Sequence, residues 1–589
     1  MTGLGVADKP IRLLVAVVAL CAQSAVVPAA RAGAQTPPAA TPGSGGPVVG
    51  EIGPARGPVT GGMVVAVIGR GFEGATEVRF GGVPTARFEV LSGQHGAILD
   101  AVAPPHTVGA VPVTVTTPAG TSPAGPASTF TYVPAAGHWA SLQADRRFGH
   151  TATLLGDGKV LIAGGCVTLD PSGACTVATA TAELYDPASR SFSPTGSMTR
   201  ARIGHHATVL PDGKVLVSGG CPALRCPQEP IDPSVLADLR SADLYDPMSG
   251  TWSSTGSTPF IQEVTTSTLL PAGPVSACGS NCGKVLVVGP AATADGRAAA
   301  PTDAELYDPR RGTWSPTGPT QFDRDHPVAV ALNTGRVLVT GVVSGQGIGA
   351  TPGELYDAAT GTWSPTGNVE PVPNSGSPST LLADGRVLVA GPAATGGSML
   401  YDPAAHPDPA NPSVKGGAWT KAPPTFGDGD ATTTRLHDGK VLVTGGKAVG
   451  EVLSGTGGSP PNLSAIVELY DKTTGTWSFA DTTAGGRRDF AVSTEGGPGG
   501  FTTTRLRDGT VLVVGGSVKV NASASVRGAT LGPVAPPAYG PSAELYTPAN
   551  VDKSGSSRRA AAGGLVAAAV LIVAVLAIAT RRHRRPRAG

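Results

Sequence analysis

Asp157-Gly158-Lys159-Val160-Leu161 opens a motif that returns six times along the chain. The copies are Asp212-Gly213-Lys214-Val215-Leu216, Gly283-Lys284-Val285-Leu286, Gly335-Arg336-Val337-Leu338, Asp384-Gly385-Arg386-Val387-Leu388, Asp438-Gly439-Lys440-Val441-Leu442 and Asp508-Gly509-Thr510-Val511-Leu512. The steps between copies are 55, 70, 52, 50, 54 and 70 residues, and the two steps of 70 place long insertions in units two and six. Asp-Gly between apolar runs predicts a hairpin, because both central residues tolerate positive φ. A second motif follows each copy: Glu183-Leu184-Tyr185-Asp186-Pro187, then tyrosines at 245, 307, 356, 401, 470 and 546. A third, Gly-Thr-Trp-Ser, surrounds Trp252, Trp314, Trp363 and Trp477. Self-similarity near 50 residues, with four short strands per unit, is the signature of propeller blades. Seven copies therefore predict a seven-bladed β-propeller over residues 138–549. A residue repeated in every unit is structural: the tyrosine is expected to fill the gap between blades and the aspartate to hold the next turn. The seventh unit has Tyr546 but no tryptophan after it, while Trp139 precedes the first unit. The segment of Trp139 is thus expected to supply the outer strand of the last blade, closing the ring.

These repeats resemble kelch repeats of the galactose-oxidase-like group. The double glycines at Gly164-Gly165, Gly219-Gly220, Gly445-Gly446 and Gly515-Gly516 carry the resemblance, with the downstream Tyr and Trp. Units three to five depart from it, having Gly289-Pro290, Gly341-Val342 and Gly391-Pro392. The resemblance implies that the first strand of each blade lies nearest a central channel and opens with polar residues at its mouth. Alignment on the Gly-Lys turn puts Arg147, Arg202 and Arg324 at equivalent places, with Gln262, Asn374 and Asp428 there in other units. His150, His205, Asp323, Asp325, His326 and Asp430 lie close by in sequence, as do His206, Glu263 and Asp489. This mixed polar ring is the candidate ligand-binding mouth, suited to a glycan or a peptide. The competing reading is that the Arg and His side chains satisfy buried carbonyls near the axis.

A copper-radical oxidase of the resembled group needs Tyr and His ligands, a Cys cross-linked to Tyr, and a further β-domain after the propeller. Here the six exported cysteines pair among themselves and an apolar segment follows the last unit. No Ser-x-Asp-x-Gly-x-Thr-Trp box supports a sialidase, and Gly279 to Lys284 is one residue short of a phosphate loop. The expectations are therefore no catalytic residues, no metal, no cofactor and no enzymatic activity.

Ahead of the repeats, residues 47–133 hold short β-like runs separated by turn residues. Val111, Val113 and Val115 alternate with Pro112, Thr114 and Thr116, the period of a half-buried strand. The stretch resembles the IPT/TIG family of immunoglobulin-like domains. The carrying residues are Pro54, Gly57-Pro58, Gly61-Gly62, Gly69-Arg70-Gly71-Phe72, Phe80-Gly81-Gly82, Pro104, Gly109, Gly120-Thr121-Ser122, Phe130 and Tyr132. A β-sandwich is what the resemblance implies. The fold class expected overall is all-β: an immunoglobulin-like sandwich, the propeller, and one C-terminal transmembrane helix.

The two ends set the compartment. Lys9 and Arg12 precede an apolar run from Leu13 to Ala22, and Ala32-Gly33-Ala34 follows, so residues 1–34 read as a secretory signal peptide. Residues 35–46 form a Pro/Gly-rich linker. At the other end a short linker, 550–559, leads to 21 uncharged residues, 560–580, and then to a basic tail, 581–589. That run is long enough to span a bilayer, and the arginines after it belong on the cytoplasmic side. Six cysteines fall as neighbours, predicting disulfides Cys166–Cys175, Cys221–Cys226 and Cys278–Cys282 in an exported chain.

Composition agrees. Gly 83 and Pro 55 of 589 residues disfavour a helical fold. Only 14% of residues are charged, and the body between leader and tail is net acidic, which excludes a nucleic-acid partner. The sequence thus reads as a single-pass type I surface protein of a GC-rich bacterium. Its expected role is extracellular binding or adhesion to a glycan or protein ligand. The alternatives are a galactose-oxidase-like carbohydrate-active enzyme and a structural component of the cell envelope.

Overall fold

The computed structural model describes residues 46–549 apart from 94–95, 146, 170–174, 223–236, 238, 259–260, 263–265, 272–277, 290, 293–302, 323, 344–350, 370–376, 392–396, 406–415, 426, 449–466, 481–500 and 516–542. The expected signal peptide, all but the last residue of the linker 35–46, the membrane span and the basic tail lie outside these residues. Among the described residues no helix is long and apolar enough to cross a membrane.

Residues 48–133 form two packed sheets. One holds Val48–Gly53, Val64–Arg70, Gly96–Val102 and Phe88–Gly93; the other holds Arg56–Pro58, Thr129–Val133, Gly109–Thr117, Glu77–Phe80 and Val83–Pro84, with Gly120–Thr121 at its side. The alternation read from the sequence is realised. Val111, Val113 and Val115 point inward and join Val65, Val67, Phe80, Leu99, Phe130 and Tyr132 in one core. Phe80 and Phe130 meet edge to face at 5.3 Å, the arrangement the ring quadrupoles favour. The hydroxyl of Tyr132, the polar end of a buried ring, donates to Pro104 O at 2.7 Å.

Beyond residue 136 the described residues hold seven antiparallel sheets of four strands. The first contains Thr151–Leu154, Val160–Ala163, Ala182–Asp186 and Ser191–Thr195. Its second strand is buried along its whole length, which explains the unbroken Val-Leu-Ile run after the turn: both faces pack on neighbouring sheets. Its outermost strand is mostly exposed, with Phe192 and Thr195 half-buried. The other sheets repeat this plan, and it persists where the glycine motif departs, from Val285–Gly289 through Val387–Val389. The first strand of each sheet lies against that of the next, and the seventh returns to the first.

The Asp-Gly turn is built differently from expectation. Only Gly158 takes positive φ, at 94°, and Asp157 does not. Gly158 N–H donates to Leu155 O, and Leu155 N–H to Lys159 O, so the loop is longer than the two-residue hairpin. The aspartate instead accepts the backbone N–H two residues on, at 3.0 Å for Asp157 and Lys159 and 3.1 Å for Asp212 and Lys214. The second recurrent aspartate behaves alike: Asp186 Oδ1 accepts from Ala188 N–H at 2.8 Å. The recurrent tyrosines are all buried between sheets, each with its outer-strand aromatic ring at 4.9 to 5.0 Å.

Gly137–Leu142 pairs with Ala543–Pro548, and Trp139 stands opposite Tyr546. The seventh sheet is therefore completed by a strand from before the first unit, as the orphan tryptophan implied. Cys166 is bonded to Cys175 and Cys278 to Cys282. Cys221 is also in a disulfide, while Cys226 lies outside the described residues.

Candidate functional site

The segments leading into the first strands carry the residues singled out as a mouth. The structure puts Arg147, Arg202 and Arg324 in equivalent places, as alignment implied, but it buries them. Their exposures are 1%, 2% and 0%. Each donates through Nη1 to a carbonyl 17 residues downstream: Gly164 O at 3.2 Å, Gly219 O at 3.1 Å and Gly341 O at 3.0 Å. Each also faces an acid on the third strand of its own sheet. Arg147 Nε lies 3.5 Å from Glu183, and Arg202 Nη2 lies 3.4 Å from Asp243. Arg324 donates Nε and Nη2 to Glu354 Oε2 at 3.2 and 3.0 Å, both partners having no exposed side chain.

A buried carboxylate without a counter-charge is strongly disfavoured, so these pairs stand or fall together. The acid occupies the position two before the recurrent tyrosine in six sheets; the fifth has Met399 there and Asn374 in place of the arginine. These three guanidinium groups therefore close the interior of their sheets rather than line a mouth. Thr199 and Gln321 add backbone and hydroxyl donors to Asp243 and Glu354.

His150 and His205 are also buried, and both reach across to a neighbouring sheet. His150 Nε2 lies 2.9 Å from Thr502 Oγ1, and His205 Nε2 lies 3.1 Å from Thr151 Oγ1. The double glycine makes this approach possible. A Cβ on Gly164 would stand 2.6 Å from the His205 ring, and one on Gly165 would stand 2.7 Å from Phe148 O. Both take positive φ, so only glycine fits twice over.

Hydroxyls continue the pattern around the ring, a feature the sequence reading missed. Thr208 meets Ser267 at 2.7 Å, Ala329 N–H donates to Thr266 Oγ1 at 3.2 Å, and Thr434 meets Thr503 at 2.8 Å. The signal was available: first strands read Thr-x-Thr, as in Thr151-Ala152-Thr153, Thr266-Ser267-Thr268 and Thr502-Thr503-Thr504. The first strands of neighbouring sheets are thus linked through hydroxyl and imidazole groups.

The remaining candidates are less fully placed. Gln262 sits in the short strand Ile261–Gln262, paired with Ala291–Ala292. Asp325 lies opposite Val342 at the start of Arg324–Ala331, and His326 follows it. Asp428 lies opposite Lys447 in Gly427–Arg435, which also holds Asp430. These are strand-start positions on three different sheets. Asp323, Asn374, Glu263 and Asp489 lie outside the described residues.

Burial pushes the imidazoles down. His150 falls to about 3, first through desolvation and then through the Arg147 charge. His205 is lowered well below its usual value, again by desolvation first, with Arg202 adding. Both rings are neutral at pH 7 in the folded state and titrate near 6.5 when unfolded. As pH falls through 6.5 the unfolded chain takes up protons that the native chain refuses, so stability falls with pH. The expected slope is about 1.4 kcal/mol per pH unit for each histidine at full effect. Glu183 works the other way, its carboxyl raised by desolvation. Urea midpoints at pH 7.5 and 5 measure the net effect. The midpoint should drop on acidification, and His205→Asn should flatten the dependence; equal pH slopes in parent and variant would refute the assignment.

Residues 47–132 match the family profile of the IPT/TIG domain. With the disulfides, this domain marks a secreted or surface protein, and its immunoglobulin-like fold suits binding or adhesion. The rest of the chain lies outside that match. No curated protein sequence matches the chain. Among solved structures it is similar to a fungal alcohol oxidase of the AA5 family, in complex with copper. The identity is 15%, the match covers 70% of this chain and 76% of that one, and the TM-score is 0.46. That neighbour is an enzyme, and the expectation that this chain is not one is withdrawn. Cysteine usage and the C-terminal segment do not carry that exclusion. Copper ligands are a separate matter: among the described residues no group of three His, Cys, Asp or Glu side chains is arranged to hold a metal ion.

Proposed function

We propose that the chain is an exported, membrane-anchored surface protein whose seven-bladed, kelch-type propeller binds an extracellular glycan or protein. The observation that supports this reading is the ring of seven four-stranded sheets, closed by Gly137–Leu142 and preceded by an IPT/TIG domain. A rigid ring displays the loops at its first-strand ends, and loops on rigid scaffolds are where recognition sits. With Arg147, Arg202 and Arg324 engaged inside their sheets, the binding groups of the mouth are Gln262, Asp323, Asp325, His326, Asn374, Asp428 and Asp430. This set is acidic and amide-bearing, which favours the hydroxyls of a neutral sugar or the basic groups of a peptide over a polyanion. The signal peptide at 1–34, the span at 560–580 and the cytoplasmic tail complete the reading; they rest on the sequence.

A screen of the ectodomain against arrayed glycans and surface proteins tests it. Asp325→Ala combined with Asp428→Ala should weaken the captured ligand at least tenfold, about 1.4 kcal/mol, with an unchanged melting midpoint. Normal binding by that variant, with loss in a chain lacking 47–133, would move recognition to the N-terminal domain.

A further inference from the structure

Five junctions between consecutive sheets share a polar latch, in which a phenol or indole of one sheet hydrogen-bonds the outer strand of the sheet before. Tyr245 Oη meets Thr195 Oγ1 at 2.9 Å, Tyr307 meets Thr255 at 2.8 Å and Tyr356 meets Thr317 at 2.9 Å. Trp252 Nε1 donates to Gly196 O at 2.8 Å, Trp419 to Thr366 Oγ1 at 3.0 Å and Trp477 to Pro423 O at 2.8 Å. The threonine follows the outer-strand aromatic by three residues: Phe192 and Thr195, Trp252 and Thr255, Trp314 and Thr317, Trp363 and Thr366.

Two junctions depart from this pattern: between the sixth and seventh sheets the residue three after Trp477 is Ala480 and Tyr546 Oη donates to Ala136 O at 3.1 Å, and the junction between the last and first sheets departs further. Its outer strand is Gly137–Leu142, and the residue three after Trp139 is Leu142, which has no hydroxyl. On the facing sheet Tyr185 is fully buried, and its hydroxyl has no hydrogen-bond partner among the described residues. Phe192 stands where the next five sheets have tryptophan, so no indole N–H is present either. Leu142, Ala144, Tyr185 and Phe192 meet in one apolar cluster instead. On the inner side His150 Nε2 lies 2.9 Å from Thr502 Oγ1, and Thr504 Oγ1 donates to Ala152 O at 3.3 Å. A buried hydroxyl left unpaired is a standing cost, and opening this junction lets water relieve it. Opening the latched junctions breaks hydrogen bonds already made.

We propose that this junction is the opening line of the ring: the two terminal sheets part here first and admit solvent and ligand to the hydroxyl-lined channel. The inference rests on the closed ring of the proposed function. It also gives the N-terminal domain a route to the gate, since only residues 134–136 separate Thr129–Val133 from Gly137–Leu142.

Native-state hydrogen exchange on the full-length protein, followed by peptide mass spectrometry, tests this. Gly137–Leu142 and Thr151–Leu154 should exchange at least tenfold faster than His206–Val209 and Thr266–Leu269. Leu142→Thr places a hydroxyl opposite Tyr185 and should slow the seam at least fivefold. Tyr185→Phe should leave seam exchange unchanged, whereas Tyr245→Phe should speed exchange at its own junction. Equal protection at all junctions, or a Tyr185→Phe effect as large as that of Tyr245→Phe, overturns the proposal. Exchange of Gly137–Leu142 at the unfolded-chain rate, with Ala543–Pro548 equally unprotected, would instead overturn the closed ring.

Discussion

Replacing Arg324 by alanine is expected to destabilise the protein by about 3–5 kcal/mol, the cost of leaving a buried carboxylate without its partner. Arg324 and Glu354 both have no exposed side-chain surface, and two of the three guanidinium nitrogens reach the same carboxylate oxygen. The third reaches Gly341 O, so the alanine variant also orphans a backbone carbonyl. Desolvation lowers the arginine below its ordinary value, and the Glu354 charge and hydrogen bonds oppose that. Removing the charge from both sides tells a different story. Arg324→Met with Glu354→Leu exchanges a desolvated ion pair for apolar packing and should recover most of the loss. Equilibrium urea unfolding of the single and double variants measures both. If Arg324→Ala matches the parent midpoint, the guanidinium is not closing the sheet and the mouth reading of this arginine returns.

That expectation reverses a role drawn from the sequence, and the reason is instructive. Alignment on the Gly-Lys turn located Arg147, Arg202 and Arg324 correctly within their units. It could not show which way the side chains turn, and polar residues near a propeller axis serve either a ligand or the fold. The deciding signal lay in a second column. Glu183, Asp243 and Glu354 stand two residues before a recurrent tyrosine, and unit five loses the acid and the arginine together, as Met399 and Asn374. Each of the three arginines has its acid in that column of its own unit, while Glu305, Glu468 and Glu544 keep the acid in units without the arginine, so only the three complete units could have been paired from the sequence. The motifs that were legible share a different property. Asp-Gly turns, buried Val-Leu runs and Tyr-Asp pairs are local, with their partners within a few residues or on the adjoining strand. The threonine links between first strands are not local: Thr434 and Thr503 are 69 residues apart, and His150 and Thr502 are 352 apart. Such pairs become visible only when the sheets are set beside one another.

The closing strand was the exception, a long-range pairing that repeat arithmetic alone exposed, and its removal carries the other large expected effect. Deleting residues 136–143 takes away all six pairings from Gly137 opposite Pro548 to Leu142 opposite Ala543. Every residue of Ala543–Pro548 is buried, so the deletion bares a full strand edge and one face of the core around Tyr546. Trp139 itself is 7% exposed and packs on the Tyr546 ring at 4.9 Å. Losing an aromatic of that size costs about 3–5 kcal/mol before any strand hydrogen bond is counted. The Tyr546 hydroxyl also loses Ala136 O, 3.1 Å away, as does Ala549 N–H at 3.0 Å. Set against a typical net stability of about 5–15 kcal/mol, the deletion should lower the melting midpoint by on the order of 10 °C or prevent folding of the ring. An unpaired edge should also promote association between copies, seen as a rise in scattering during purification. Trp139→Phe keeps the strand and most of the ring contact, and should cost far less. A deletion variant that melts with the parent would mean that Ala543–Pro548 is an ordinary outer edge and that the ring closes without its N-terminal strand.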